Sequence, residues 1–136
     1  MDRKVRFDFE RMDVFRVALQ LMPMINELAV ALPEGEGRAY MKDQLRRAVN
    51  SIPLNIAEGA GEFAPAEKAR FYRFAKRSAT ECASQILACQ ADGLLQDAPR
   101  VDAALDLLQR EVAMLVTLVR RCGERGQPAI DMGNDA

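Results

Sequence analysis

Lys68, Arg70, Arg73, Lys76 and Arg77 place five cations in ten residues with no acid among them. At about 100° of helical turn per residue, Arg70, Arg73 and Arg77 share a sector roughly 60° wide, with Phe74 beside it. Basic side chains interleaved with an aromatic suit phosphate contact plus base stacking. Arg70, Arg73, Phe74 and Arg77 are therefore the candidate nucleic-acid contacts. Glu67 precedes Arg70 by three and Glu81 follows Arg77 by four, so both ends of the ridge have a helical ion-pair partner within reach. On composition alone the stretch reads as a solvated helix face. Repeated around a ring, its field would multiply.

A second constellation is Arg47, Ser51, Leu54, Asn55 and Glu58. Arg47, Ser51, Leu54 and Glu58 fall on the helix side opposite Met41, Leu45, Val49, Ile52 and Ile56, whose spacing marks a core stripe. A leucine framed by polar residues suits a subunit interface, which mixes apolar and polar groups, with Arg47 and Glu58 pairing within or between chains. The alternative is a solvated helix back with those charges unpartnered. Asn55 is expected to bond a backbone group freed by Pro53, since an unpaired buried carbonyl is costly. Glu58 as a general base would need a perturbed pKa and a substrate pocket, and nothing nearby supplies a nucleophile or a metal-ligand set.

Histidine is absent, which removes the commonest acid/base near neutral pH and the commonest transition-metal ligand. Three cysteines argue against a disulfide framework. Cys82 and Cys89 lie seven apart in a helical pattern, roughly 10.5 Å between Cα atoms against a ceiling of about 7 Å for a bridge, so buried reduced thiols are expected. There is no phosphate-binding loop, dinucleotide fingerprint, nucleophile elbow, zinc ligand set or calcium loop. No cofactor, no metal, no small-molecule substrate and no catalytic activity are expected. The seven methionines read as core filler.

The positioning elements follow from periodicity. Apolar content of 49% with 29% charged residues in 136 suits one globular domain. A first helix is predicted from Phe9 to Leu32, with Ala18, Leu21, Ile25, Leu28 and Leu32 inward and Pro23 bending it. A second runs from Arg38 to Glu58; it either kinks at Pro53 or stops near Ser51 and restarts, and Gly59 is its left-handed cap. A third spans Pro65 to Asp92 on a narrow stripe of Ala75, Ala79, Cys82, Ile86 and Cys89, widened by Phe71 and ended by Gly93. A fourth, opened by Asp97, covers Pro99 to Cys122 on the heptad seam Val101, Leu105, Leu108, Val112, Leu115, Val119 and Cys122. No strand signal is present. The fold class is all-α, an antiparallel up-down four-helix bundle over 9–126, with a flexible N-terminus 1–8 and a flexible tail 127–136.

Net charge of −1 predicts no global attraction to nucleic acid or anionic lipid. The charged N-terminus holds no secretory signal, and the longest apolar stretch, Val112 to Val119, is too short to span a bilayer. A cytoplasmic protein without membrane association is expected.

The stretch Gln44 to Gly59, with its core Ser51-Ile52-Pro53-Leu54-Asn55-Ile56-Ala57-Glu58-Gly59, closely resembles the signature of the four-helix-bundle proteins encoded in intervening sequences of bacterial 23S ribosomal RNA genes. Glu67, Arg70-Phe71, Ala75, Ser78, Glu81 and Leu87 resemble that family's third helix, and Met12 to Phe15 and Pro33 to Glu36 its first helix and loop. The likeness covers roughly Phe9 to Gly123. Phe15 stands where a tryptophan is usual, Glu62 where a basic residue is common, Ala64 where a serine cap is customary and Arg77 where glycine is frequent. The resemblance implies a bundle that assembles as a ring, typically a homopentamer. It also implies kinship with the accessory variability determinant of diversity-generating retroelements, which binds nucleic acid and a reverse transcriptase.

Three functions fit these residues: a homo-oligomeric adaptor presenting a repeated surface to RNA, DNA or a protein partner; a purely structural assembly module that binds protein only; and a small hydrolase or nuclease relying on Glu58. The first is the leading reading.

Overall fold

A computed structural model describes residues 3–126. A 3-10 turn, Asp8–Arg11, precedes four helices: α1 (Asp13–Ala31), α2 (Arg38–Gly61), α3 (Pro65–Ala91) and α4 (Ala98–Gly126). Each helix packs on its neighbour in sequence and α1 closes on α4, while the backbones of the diagonal pairs stay farther apart. Connections as short as 32–37, 62–64 and 92–97 can only join antiparallel neighbours. The chain is thus the all-α up-down bundle its periodicity predicts, with no strand among the described residues. The tail expected at 127–136 and the first two residues lie outside the described residues.

α1 starts four residues later than the predicted Phe9. The Glu10 carboxylate accepts the backbone N–H groups of Arg6 and Phe7 at 2.7 and 2.8 Å, which holds the chain in a tighter turn first. The predicted stripe Ala18, Leu21, Ile25, Leu28 and Leu32 is buried. Pro23 sits on the exposed side, inside a helix that continues through it. Among the described residues α1 alone, with a mean hydropathy of 1.3, is long and apolar enough to cross a membrane. In this fold its Leu21, Ile25 and Leu28 pack into the bundle core, each contributing about 1.5–3 kcal/mol by leaving water. Counting unbroken apolar runs passed over it because Arg16, Gln20, Asn26 and Glu27 punctuate the helix.

α3 buries Ala75, Ala79, Cys82, Ile86 and Cys89 as expected, but the large side chain that completes its inner face is Tyr72; Phe71 is only half-buried. All three cysteines are free and buried. Gly93, at φ +76°, takes the left-handed turn that ends α3. Asp97 caps α4, its Oδ1 accepting the Arg100 N–H at 3.2 Å.

The seam of α4 is not the predicted one. The buried line is Val101, Ala104, Leu108, Glu111, Leu115 and Cys122, whereas Leu105, Val112 and Val119 are half-buried on its flank. Both lines share Val101, Leu108, Leu115 and Cys122; the buried one steps by three and four as far as Leu115 and then by two full turns to Cys122. Packing turned the helix toward Ala104 and Glu111, away from the wholly apolar line.

Candidate functional site

Both sequence constellations lie on the α2–α3 half of the bundle. α2 is continuous across Pro53, with neither the predicted stop near Ser51 nor a restart. Pro53 is buried in the helix interior. Asn55 does not reach the Val49 carbonyl that lacks the Pro53 donor. Its Nδ2 donates instead to the Ser51 carbonyl at 2.9 Å and to Ser51 Oγ at 2.8 Å. The Ser78 hydroxyl of α3 then donates to Ser51 Oγ at 2.8 Å. Ser51, Asn55 and Ser78 thus form a half-buried polar clasp between the two helices.

Gly59 corrects a second expectation. It is helical and buried, with no positive φ, so it is no left-handed cap. Its use is clearance: a Cβ there would stand 2.7 Å from Tyr72 Cε1 and 3.2 Å from the Lys68 carbonyl oxygen. Beside it, Lys68 Nζ donates to the carbonyls of Gly59 at 3.3 Å and Ala60 at 3.0 Å. A cation at these terminal carbonyls answers the negative end of the helix dipole. Lys68 therefore belongs to the α2–α3 joint and leaves the basic ridge.

Arg47 pairs with Asp43 one turn earlier at 3.0 Å and not with Glu58 of its own chain. Leu54 is 66% exposed and Glu58 is also exposed. Within the stretch Ser51 to Gly59, Ile52, Pro53, Ile56 and Gly59 are buried, and Ser51 and Asn55 are hydrogen-bonded. Leu54 and Glu58 are the two exposed side chains of that stretch. Just beyond α2, Phe63 is 98% exposed. The sequence reading missed it, although an aromatic between Glu62 and Ala64-Pro65, in a stretch with no helical stripe, was the available signal. Tyr40, Asp43, Gln44, Arg47 and Ser51 of α2 with Ser78 and Glu81 of α3 border a recess of about 390 Å3 beside the clasp.

The ridge is real but differently occupied. The Arg70 guanidinium lies 5.6 Å from the Phe71 ring centre and 5.2 Å from that of Phe74, and Arg77 lies 5.6 Å from Phe74. Phe74 is half-buried and takes up two of its own chain's arginines, so it is not the open stacking platform expected. Arg70 also meets Glu67 at 3.4 Å. The expected pairing of Arg77 with Glu81 is absent; Glu81 accepts from Gln85 at 3.3 Å. Arg73, Lys76 and Arg77 make no ion pair among the described residues. With Thr80, Glu81, Ser84 and Gln85 they line an open recess of about 530 Å3. Three cations there have the chemistry to meet phosphate oxygens, against the Glu81 carboxylate in the same recess, while Thr80 donates to the Lys76 carbonyl at 2.9 Å and Gln85 to Glu81.

A family model described as 23S rRNA-intervening sequence protein matches residues 10–117, from the 3-10 turn to the middle of α4. The chain belongs to this family. A comparison with the curated proteins returns no match. In this 23S rRNA-intervening sequence protein the stretch Ser51 to Gly59 forms the core, clasp and close-contact side of α2, with Leu54 and Glu58 exposed within it and Phe63 exposed just beyond the helix. Among the described residues no three His, Cys, Asp or Glu side chains gather as a metal-binding group.

Proposed function

We propose that the protein is a cytoplasmic homo-oligomeric adaptor that binds and assembles without catalysing. Copies join through the outer side of α2, and the α3 recess at Arg73, Lys76 and Arg77 is turned toward RNA or DNA. The observation that carries this reading is Leu54. It is two-thirds exposed inside a stretch whose other apolar side chains are all packed inward, with Glu58 beside it and Arg47 two turns away on the same side. A second copy would remove it from water in the mixed apolar and polar setting usual at subunit interfaces. A ring of five is the arrangement the family resemblance suggests.

Light scattering on the intact chain tests assembly: Leu54→Asp should reduce the mass to that of a monomer while the helical signal is unchanged, and an unaltered mass overturns the interface. Titration with labelled RNA and DNA at two salt concentrations tests the ridge. Binding should weaken as salt rises and be lost in the Arg73→Ala, Lys76→Ala, Arg77→Ala triple variant. A second reading, a module that assembles with protein alone, is favoured by Phe74 being covered by Arg70 and Arg77 and by the net charge of −1. An intact oligomer that binds neither nucleic acid at low salt selects it.

A further inference from the structure

Glu111 occupies a core position of α4, between Leu108 and Leu115, with no exposed surface. Neither carboxyl oxygen has a hydrogen-bond partner among the described residues. A buried polar group of this kind costs stability even when neutral and far more when charged. The helices whose backbones run beside α4 among the described residues are α1 and α3. The buried face of α1 holds no ionisable group, and its Asp13, Arg16 and Glu27 are all exposed. The buried ionisable groups of α3 are Tyr72, Cys82 and Cys89, while Glu67, Arg70, Arg73, Lys76, Arg77 and Glu81 point outward and Lys68 is held at the end of α2. On α4 itself the charge acting on Glu111 is that of Arg110.

We propose that Glu111 is a proton-operated latch on α4. While the carboxyl keeps its proton the helix sits as observed. When the proton leaves to solvent, the middle of α4 turns or lifts until the carboxylate reaches water. Arg110 offsets only part of the cost of burying that charge, so reaching water relieves it, and the flank Leu105, Val112 and Val119, already half-buried, is the side toward which a small rotation would re-seat the helix.

The window follows from the surroundings. Burial pushes the Glu111 carboxyl from its ordinary 4.5 up to about 8, against a smaller opposing pull from Arg110. Burial pushes the Cys82 thiol up to about 12 and raises Cys89 and Tyr72 as well, so these groups stay protonated through the same range. The chain has no histidine, so no imidazole titrates there. In an opened α4 the proton is released above about pH 4.5; in the closed one it is kept to about pH 8. Opening therefore releases a proton between those values, and its equilibrium constant rises by up to tenfold per pH unit and then levels off.

Hydrogen exchange of the full chain, followed helix by helix from pH 5.5 to 9, tests this. Wild type is compared with Glu111→Gln and Glu111→Leu, so that the intrinsic pH dependence of exchange cancels in the ratio. The expected result is α4 opening that grows toward tenfold per pH unit in wild type relative to either variant, with α2 unchanged. Should Glu111→Gln fold poorly, with a neutral amide left unpaired, the leucine variant gives the same comparison. Identical pH dependence in wild type and variant overturns the latch, as does an equal change in all four helices. A carbon-detected titration of the Glu111 carboxyl with its midpoint near 4.5 overturns it independently.

Discussion

α3 is gripped from two sides, by α2 and by α4, and the two grips are built from opposite materials. Against α2 the polar groups sit at the rim and are partnered: Ser78 on Ser51, Asn55 on Ser51, Lys68 on the last carbonyls of α2. The apolar part of that joint includes one very close approach, with Gly59 under the Tyr72 ring. Against α4 the contact is an apolar seam, and the buried side of α4 carries one carboxyl without a partner. A polar side chain at the rim with a partner adds about 1 kcal/mol. The same kind of group in the middle with none subtracts more than that. One joint therefore gains from its polarity and the other loses.

The largest expected effect removes the loss. Glu111→Leu should stabilise the chain by about 1–4 kcal/mol at pH 8, as replacement of buried ionic groups by well-packed apolar ones often does. Because the carboxyl is raised, its cost is smallest below pH 4.5, grows as the unfolded chain ionises and is complete above about 8. Denaturant melts of wild type and variant at pH 4 and pH 8.5 should show the gap widening with pH; a constant gap would mean the burial of the charge is not its source.

Attacking the other joint should cost stability. Gly59→Ala brings a Cβ to 2.7 Å from Tyr72. Overpacking of about 1–3 kcal/mol, less the helix-propensity gain of about 1 from alanine, leaves a net loss of up to about 2 kcal/mol. A stabilised Gly59→Ala protein would show that α2 and α3 can part without penalty. Ser78→Ala should cost about 1 kcal/mol by taking the clasp from α3, readable as a lower denaturation midpoint. Smallest is Lys68→Met, about 0.3–1 kcal/mol and shrinking with added salt, since the ammonium answers a helix end near the surface. Equal losses at low and high salt would assign Lys68 a packing role.

Stripes of the right spacing were legible before any coordinates: Ala18 to Leu32, Leu45 to Ile56 and Ala75 to Cys89 are buried as their periodicity requires. Periodicity failed in α4 because two lines of similar spacing share Val101, Leu108, Leu115 and Cys122. The one avoiding a carboxylate looked better until packing against α1 and α3 decided otherwise. Leu54 was visible as an apolar residue out of phase with its stripe. Ser78, Lys68 and Gly59 were not assignable, because each acts across to another helix, and periodicity places a residue only on its own helix. Phe74 was placed beside the correct arginines, but whether those arginines face solvent or the ring itself is a matter of rotamers.

Tyr72 lies against a residue with no side chain, so α2 and α3 stand closer than an alanine there would let them. That contact also fixes how far the Leu54 side stands from the Arg73 side within one chain. If copies join through α2, their basic recesses recur like rungs at a single spacing, and a polyanion laid across them would be gripped in whole steps.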